Sequence, residues 1–533
     1  MKMPRISLPL LTLLFLGSLT CQAAERALAL TDKELYVTGE RLHISVCILD
    51  DDMRPSTLSR VAYVEISDTY RLCAQGMVSL DHGRGWADIA LPASMHSGNY
   101  LLSVYTRAMR SLDLAHDDAL FSKVISIVNP THVSRADNIV FLPTDSISPR
   151  LDNAAATLLE CNAEGNISLP LSLGENMLFT TVSMMRQDLE APDYSDLKPE
   201  RRLLSSTPKN SETMPELEGH LVLARPTDQK SIIAQTRLVM IGRQNAIYDG
   251  QWQSDGSWLY YTTNLYGKRP AMLSAYDTEG HSVPMGFVSP FAKILPLDLP
   301  KLSVGCTEAD LQRRAESARR EQDITDWLAN DSISFNPKLL SGEPRFSYNL
   351  DEYTKFKSVR EILIEFVRGV KRSKVHGVNQ LFTIDPDLNM YSKWSALVLL
   401  DGMPIFNIDD ILDYDARLLK YVQIYTDRYT FGSTTYGGII SFTSQKGRLS
   451  NFNIDRVNQL VSYSFPQDHP DFIVPADAQA GTIFWNPDVV ETNVNSKSFS
   501  APSAPGNYHI LLQGFDKAGK YVSKAFLLKI GAK

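Results

Sequence analysis

Residues 27–49 read ALALTDKELYVTGERLHISVCIL, and this stretch indicates the fold of the first part of the chain. Two apolar runs, 27–30 and 41–49, flank a polar segment that ends at Gly39 and Glu40. Short apolar runs bounded by turn residues are typical of β-strands. The stretch therefore predicts strands separated by a tight turn.

The pattern continues to about Pro130. Further strand-like runs lie at 61–66, 86–91 and 101–109, and a closing run spans 121–129. Gly83 to Gly85 and Ser97 to Tyr100 supply turns between them. Many short strands at this spacing predict a β-sandwich, which we assign to residues 24–130.

The segment 32–40, which reads Asp-Lys-Glu-Leu-Tyr-Val-Thr-Gly-Glu, resembles the opening of the second macroglobulin-type domain of alpha-2-macroglobulins. Thr38 stands where that family usually has Pro. The Gly-Asn-Tyr turn that ends at Tyr100 also fits. The resemblance implies a fibronectin-like sandwich that works by contact, with Tyr36, Gly39 and Tyr100 in structural roles.

Composition shifts divide the rest of the chain into further predicted units. Mainly β structure continues after the first sandwich, and a charged helix is expected over 307–328 because Thr307 suits an N-cap. The expected units are a signal peptide (1–23), a macroglobulin-like sandwich (24–130), a second β domain with a Pro-rich, exposed polar linker (131–215), an immunoglobulin-like or carboxypeptidase-regulatory-like sandwich (216–300), a helical linker (301–345), an α+β domain (346–450) and a C-terminal β segment (451–533).

Residues 396–405 read ALVLLDGMPI, an apolar strand followed by an Asp401-Gly402 turn. With the Tyr-Gly-Gly-Ile-Ile stretch at 436–440, this resembles the plug domain of TonB-dependent receptors of the Bacteroidetes type. A helix over 359–370 is expected to cover one face of the strand. Structural roles are assigned to Asp401 and to the turn glycines, since glycine permits tight backbone turns; the glycines are Gly402, Gly432, Gly437 and Gly438.

The residues after Gly447 are too few for the large barrel that a receptor of this family needs, so transport is not carried over from the resemblance. The α+β domain is then expected to leave a binding edge exposed. Aromatic residues cluster there, and exposed aromatic patches are typical of protein contacts; the cluster is Tyr425, Tyr429, Phe431 and Tyr436.

The first 23 residues have a basic start, an apolar core and a small-residue end, which predicts an exported protein cleaved after Ala23. The residues before Cys21 depart from a lipobox, so a lipid anchor there is disfavoured. Export permits disulfides, and Cys47 and Cys73 either pair or remain buried thiols, the second being favoured. No membrane span is expected in the mature chain.

The chain carries 53 Lys and Arg against 61 Asp and Glu, a net charge of −8 that argues against nucleic acid as a partner. No catalytic motif, metal site or cofactor site is expected, and Cys306 lacks the Gln that a macroglobulin thioester needs, since Ala309 takes its place. Ser146 and Ser332 lie in Asp-Ser-Ile triplets that resemble O-glycosylation acceptors.

Taken together, these features predict a non-enzymatic, multi-domain protein of the cell envelope. It is expected to act as an interaction scaffold or accessory at the periplasmic or surface face of the outer membrane, with envelope or outer-membrane proteins as partners. One alternative is a receptor or transport accessory whose plug-like domain engages a separate outer-membrane barrel. A second alternative is an uncharacterised hydrolase.

Overall fold

The structure is a computed structural model, and it describes most of the chain after the expected signal peptide. The described residues are 25–131, 139–141, 157–159, 166–170, 173–174, 176–204, 208–228, 232–240, 246–279, 281–329, 342–375, 377–385, 388–446, 459–472, 480–489 and 496–530. The predicted signal peptide, Ser146 and Ser332 lie outside them. The chain is mainly β, with many sheets, as the sequence predicts.

The elements in chain order are these. The first part contains β1 (Arg26–Thr31), β2 (Leu35–Val37), β3 (Arg41–Leu49), β4 (Val61–Ser67), β5 (Leu72–Ser79), β6 (Arg84–Ala90), β7 (Gly98–Thr106), β8 (Phe121–Val128), β9 (Ile139–Phe141), β10 (Thr157–Leu159), β11 (Asn166–Pro170), β12 (Met177–Arg186), β13 (Arg201–Leu203), β14 (Leu221–Pro226), β15 (Gln235–Met240), β16 (Ala246–Asp249), β17 (Gln251–Trp252), β18 (Trp258–Tyr261), β19 (Lys268–Tyr276), β20 (Met285–Phe287), β21 (Ile294–Pro296) and β22 (Leu302–Val304). The second part contains α1 (Glu308–Ala329), β23 (Phe346–Asn349), α2 (Val359–Glu365), β24 (Val370–Val375), β25 (Val378–Asp385), β26 (Met390–Tyr391), β27 (Leu397–Leu400), β28 (Met403–Pro404), α3 (Ile408–Leu412), β29 (Leu419–Tyr425), β30 (Tyr429–Phe431), β31 (Thr434–Tyr436), β32 (Ile439–Ser444), β33 (Gln459–Ser464), β34 (Thr482–Asn486), β35 (Ser496–Ser500), β36 (Gly506–Asp516) and β37 (Tyr521–Ile530).

Strands β1 to β8 form a sandwich, called the first sandwich below. Its sheets have the orders β1-β3-β6 and β2-β8-β7-β4-β5. Strand β4 is buried along its whole length because residues 291–294 cover its outer face. There Glu65 accepts hydrogen bonds from the Ile294 amide (2.8 Å) and the Tyr105 hydroxyl (2.6 Å), so the polar group that the strand buries has partners.

A second sandwich packs sheet β17-β18-β14-β20 near sheet β16-β15-β19-β33 around one apolar core. Its edge strand β33 comes from residues 459–464, far along the chain, and pairs antiparallel with β19. The core therefore closes only after the chain has returned from the α+β part.

A third module joins two distant stretches of the chain in one sheet, of order β10-β37-β36-β12-β34, with β11 and β35 paired beside it. Strand β12 lies between β36 and β34 and pairs antiparallel with both. The predicted units 131–215 and 451–533 thus share a sheet, and 451–533 also supplies β33 to the second sandwich. The unit boundaries given above stay predictions.

Residues 342–446 form an α+β module with a five-stranded sheet of order β23-β29-β32-β27-β28 and a smaller sheet, β24-β25-β26. Strand β27 is buried at every position and shares its core with Val359 and Ile362 of α2, as predicted. The helix is shorter than the expected 359–370. It ends at Glu365, the backbone leaves the helical conformation at Phe366 (φ −144°), and a turn at Gly369, where φ is +79°, leads into β24.

The charged helix α1 begins where predicted, and the Thr307 hydroxyl accepts a hydrogen bond from the Asp310 amide (3.2 Å). Part of the Pro-rich stretch within 131–215, which is predicted as an exposed linker or a long loop, packs against the rest of the chain. Strand β13 pairs with β21, and Ser211 is buried. The prolines interrupt regular structure there, but they do not prevent packing. Within the described residues, no helix is both long and apolar enough to cross a membrane.

Candidate functional site

The turn that follows β1 carries a buried polar cluster, and it is the segment singled out by the macroglobulin resemblance. Tyr36 is fully buried, and the single proton of its hydroxyl is shared between Asp32 Oδ1 (2.7 Å) and the Lys33 carbonyl oxygen (2.9 Å). Gly39 adopts a φ of +91°, a conformation that favours glycine. The structural roles predicted for Tyr36 and Gly39 remain predictions, and this geometry is consistent with them.

A chain of ion pairs extends from this turn to two distant segments. Lys33 Nζ lies 3.1 Å from Glu40 Oε2, and Arg314 of α1 bonds Glu40 Oε1 and Asp188 Oδ1, each at 2.9 Å. All four side chains are at most 6% exposed. Burial alone raises the pKa of Glu40, but the charges of Arg314 and Lys33 outweigh it and hold that pKa below its ordinary value. We call these four residues the clamp.

The clamp ties the first sandwich to α1 and to the segment after β12. The same turn reaches a further segment, because Lys33 Nζ donates to the Thr482 hydroxyl (3.0 Å) at the start of β34, and that hydroxyl donates to Asp32. The sequence pattern pointed to Asp32 and Glu40. It gave no signal for Asp188 and Arg314, since both lie far away along the chain.

A second buried cluster joins the two sandwiches around Glu216. The carboxylate of Glu216 accepts from the Tyr63 hydroxyl (2.8 Å), lies 2.9 Å from His220 Nδ1 and pairs with Arg107 at 3.4 Å. On the other side of the imidazole, His220 Nε2 lies 2.8 Å from the Tyr463 hydroxyl of β33. Burial alone raises the pKa of Glu216, but His220 and then Arg107 bring it below its ordinary value.

This order of carboxylate, imidazole and hydroxyl resembles an acid–base relay, but its chemistry is unfavourable for catalysis. Burial raises the pKa of Tyr463 above its ordinary value, so the phenol resists losing its proton. Glu216 and His220 already have partners, and His220 is only 2% exposed. The arrangement therefore orients the two sandwiches and holds their contact in one geometry.

Next to His220 lies a cleft of about 550 Å³ at the junction of the first sandwich, the second sandwich and the segment after β33. That volume is within the range of small-ligand pockets, roughly 300–1,000 Å³. Its charged lining consists of Arg60, Asp81, Glu218 and Asp468, besides His469. Three carboxylates against one guanidinium make the cleft acidic.

The wall of the cleft at His469 is held rigidly. The His469 ring stacks on Trp86 with centroids 4.2 Å apart, and its Nε2 lies 3.0 Å from the Ser79 carbonyl. The segment is further fixed by Gln467, whose side-chain Nε2 donates to the Asp88 backbone carbonyl (2.7 Å). A pre-formed acidic cleft suits a cationic or hydrogen-bonding ligand. Sequence reasoning missed it, because its lining comes from residues 60–81, 217–220, 264–266 and 466–469.

The predicted aromatic contact cluster is only partly at the surface. Tyr425 and Tyr436 are 8% and 6% exposed and belong to the core of the α+β module, so the expectation of an exposed patch is wrong for them. The reason is that β29 and β31 place these side chains inward, against the sheet. Tyr429 and Phe431 are half-buried and stack with centroids 6.3 Å apart.

The hairpin that carries Tyr429 and Phe431 packs against the second sandwich of the same chain. Thr434 Oγ1 donates to Asp249 Oδ2 (2.7 Å), and the Ser433 amide donates to the Ile247 carbonyl (3.2 Å). Gly432, with φ +59°, permits this approach, since a Cβ there would lie 2.6 Å from the Ile247 carbonyl oxygen. Contact with another protein through this cluster stays a prediction.

Other residues with predicted structural roles lie at turns and close approaches. Tyr100 is 2% exposed and donates to the His96 carbonyl (2.6 Å). Asp401 and Gly402 both have positive φ and form the turn between β27 and β28, and Asp401 accepts from the Ser444 amide (2.7 Å). Gly438 has φ +158° and would bring a Cβ within 2.7 Å of the Tyr425 carbonyl oxygen.

The open question about the cysteines is answered by the structure. Cys47 and Cys73 are both free thiols, as is Cys306. Burial raises the pKa of Cys47 and of Cys73 to about 11, so neither is a reactive thiolate at neutral pH. Among the described residues, no group of three or more His, Cys, Asp or Glu is placed to hold a metal ion.

No family model matches this chain, and no curated protein matches it. Its structural neighbours include a Salmonella alpha-2-macroglobulin mutant (9% identity, TM-score 0.17, covering 95% of this chain and 23% of the other) and an Escherichia coli alpha-2-macroglobulin activated by porcine elastase (8%, 0.25, 95% and 44%). Dimeric latent PorU from Porphyromonas gingivalis is another (8%, 0.14, 96% and 34%). The chain spans less than half of the length of these proteins, and TM-scores this low carry no functional argument.

Proposed function

We propose that this chain is a non-enzymatic, multi-domain protein of the cell envelope that acts as an interaction scaffold or accessory at the outer membrane. The observation that carries the proposal is the joining of its parts through buried charges. The clamp connects the first sandwich, α1 and the third module, and the cluster at Glu216 connects the two sandwiches. We infer that these buried ion pairs hold the joined parts in one arrangement.

The acidic cleft is the surface that we propose for partner binding. It lies where the two sandwiches and the segment after β33 meet, so its shape depends on their fixed arrangement. A basic segment of a partner protein would complement Asp81, Glu218 and Asp468. Electrostatic complementarity of this kind favours the correct partner and speeds association.

The test is a pull-down of the tagged full chain from detergent-solubilised envelopes after cross-linking, with partners identified by mass spectrometry. Glu218→Lys, at the exposed rim of the cleft, is expected to reduce partner capture at least fivefold. Glu279→Lys is the matched control, since Glu279 is 77% exposed and outside the cleft. Equal capture by the two variants would contradict the cleft as the binding surface.

The identity of the captured proteins separates the functional alternatives. A mixed set of envelope proteins supports the scaffold. A single outer-membrane barrel captured in a stable complex supports instead a receptor accessory whose α+β module engages that barrel. A chain that captures no partner above background contradicts both, and the hydrolase alternative then becomes the one to assay.

Export is tested separately. We expect the mature chain to begin at Ala24 and to leave the membrane in high salt or carbonate. Intact-mass measurement of the purified protein checks the cleavage site. A diacylglyceryl group on Cys21 would contradict it and would place the protein on a lipid anchor.

A further inference from the structure

The small sheet β24-β25-β26 of the α+β module leaves one face uncovered. Side chains alternate between the faces of a strand. On β25, Leu381 and Thr383 are fully buried against the module, so Phe382 and Ile384 lie on the outer face. Tyr391 of β26 is opposite Ile384 and is 44% exposed. The outward face is therefore apolar and aromatic.

The surroundings of this face are also apolar and exposed. Next to Tyr391 along the chain, Leu388 is 69% exposed and Trp394 is 44% exposed. Exposed apolar side chains scattered singly are ordinary, but a contiguous group marks an interaction site. We call the outer face of β24-β25-β26, with residues 388–394, the aromatic sheet face.

Cations lie at the margin of the aromatic sheet face. Residues 366–394 contain five Lys or Arg and two Asp, although the whole chain has a net charge of −8. Lys371 Nζ lies 5.6 Å from the centroid of the Tyr391 ring, and the Arg428 guanidinium lies 4.4 Å from that of Trp394. Within the part of the chain that the structure describes, Lys371, Arg372 and Arg428 form no ion pair with a carboxylate.

We propose that the aromatic sheet face binds an anionic lipid surface through phosphate headgroups. Trp and Tyr side chains lie with their rings at the headgroup level of membranes, and basic residues beside them attract anionic lipids. Lys and Arg keep their charged ends in water while their aliphatic stems cover apolar surface. Protein interfaces, in contrast, are depleted of Lys, whereas here Lys371 lies over the Tyr391 ring.

Edge protection explains only part of this arrangement. Strand β24 is at the edge of its sheet, and Lys and Arg on an edge strand prevent unwanted strand pairing. That role does not require exposed Tyr391 and Trp394 on the face beside the edge. The inference rests on the proposed envelope location for the source of the lipid, but its test uses purified components alone.

The test is co-sedimentation of the purified full chain with phosphatidylcholine vesicles, with and without about one-third phosphatidylglycerol. We expect binding to the anionic vesicles only, released by 0.5 M NaCl. The double variant Lys371→Glu/Arg428→Glu is expected to lower the partition coefficient at least tenfold, since each basic residue near the surface contributes about a fivefold factor. Trp394→Ala should lower it at least threefold.

Matched controls lie elsewhere on the surface. Trp252 is 62% exposed and Lys198 is exposed, and both are outside the aromatic sheet face, so Trp252→Ala and Lys198→Glu should bind like the wild type. Circular dichroism and the melting temperature report whether each variant folds. Equal binding to neutral and anionic vesicles, absence of binding, or equal loss in the control variants would overturn the proposal.

Two other outcomes would assign the face to a different occupant. Binding of poly-glutamate that competes with vesicles, together with no lipid preference, would indicate an acidic protein partner. Dimerisation in light scattering that Trp394→Ala abolishes would indicate a second copy of the chain. Either result leaves the pull-down at the acidic cleft unaffected, so failure here and failure of the proposed function are distinguishable.

Discussion

At the scale of single residues, the clamp illustrates how much depends on buried charges having partners. Arg314 bonds both Glu40 and Asp188 while being only 3% exposed at its side chain. Removing one partner of a buried pair leaves an uncompensated charge, which is far more costly than losing a surface pair. The same helix provides a natural comparison, because Arg313 is 43% exposed and pairs with Asp310 at its surface.

We therefore predict that Arg314→Ala lowers the free energy of unfolding by about 3–5 kcal/mol. Arg313→Ala, one position away, should lower it by less than about 1 kcal/mol. Urea denaturation followed by circular dichroism measures both. Similar losses in the two variants would mean that the clamp contributes nothing beyond ordinary helix propensity.

The pKa values of two buried histidines are predicted to shift in opposite directions. Burial lowers the pKa of His509 to about 4. For His43, burial lowers the pKa, but the hydrogen bond to Asp88 and the charges of Asp32 and Asp88 raise it above its ordinary value. Histidine NMR titration of the native chain should find His509 neutral at pH 5 and His43 still protonated above pH 6.5, and the reverse order would refute the assignment.

The sign of the stability change follows from these shifts. The contribution of neutral His509 to the free energy of unfolding is fully present above the unfolded-state pKa of about 6.5. It is lost as the pH falls toward the folded-state pKa of about 4. The contribution of His43 is present below about 6.5 and is lost as the pH rises through its raised folded pKa. Consequently, His509→Leu should reduce the loss of unfolding free energy between pH 7 and pH 5 relative to the wild type.

At the scale of elements, Gly437, just before β32, lets this strand approach the segment at Ser392 and Trp394 closely. A Cβ at Gly437 would lie 2.5 Å from the Trp394 carbonyl oxygen and closer still to Ser392 Oγ. At Gly286 in β20, a Cβ would have only an ordinary contact, 3.7 Å from the Thr227 methyl carbon. The sequence motif identified Gly437 as a turn residue, whereas the neighbour that it must avoid is visible only in the fold.

Gly437→Ala is accordingly predicted to destabilise the chain by about 1–3 kcal/mol, since overpacking forces backbone shifts. Gly286→Ala should be neutral or stabilising by up to about 1 kcal/mol, because alanine restricts the unfolded chain. Thermal denaturation of the two variants checks this pair. A Gly437→Ala variant as stable as Gly286→Ala would show that the close approach is not tight in solution.

At the scale of the whole molecule, the buried cluster at Glu216 couples the unfolding of the two sandwiches. Arg107 is 1% exposed and reaches the Leu221 carbonyl (2.5 Å) and the Ser211 carbonyl (3.1 Å), besides Glu216. These contacts join the end of β7 to the start of the second sandwich. Strand β33, which completes that sandwich, adds Tyr463 to the same cluster through His220.

Calorimetry should therefore record one cooperative transition for both sandwiches in the wild type. In Arg107→Ala, the buried Glu216 loses the guanidinium that pairs with it. We expect the transition to split, or its melting temperature to fall by more than about 5 °C. Arg54→Ala, at a side chain that is 77% exposed, serves as the control and should leave a single transition in place. Separate transitions already present in the wild type would refute the coupling.

The sequence by itself determined the local features of this protein. Apolar runs predicted β3 and β27, Thr307 marked the start of α1, and the Asp401-Gly402 turn was readable, because each depends on residues close together in the chain. The tertiary structure alone decided which distant strands complete each sheet, as β33 does for the second sandwich and β36 for the third module. It also decided the partners of Glu40 and Glu216 and the burial of Tyr425 and Tyr436. The physical reason is that every strand edge offers the same N–H and C=O groups, and any acidic side chain can pair with any basic one. Which of them pair therefore depends on how segments hundreds of residues apart pack together.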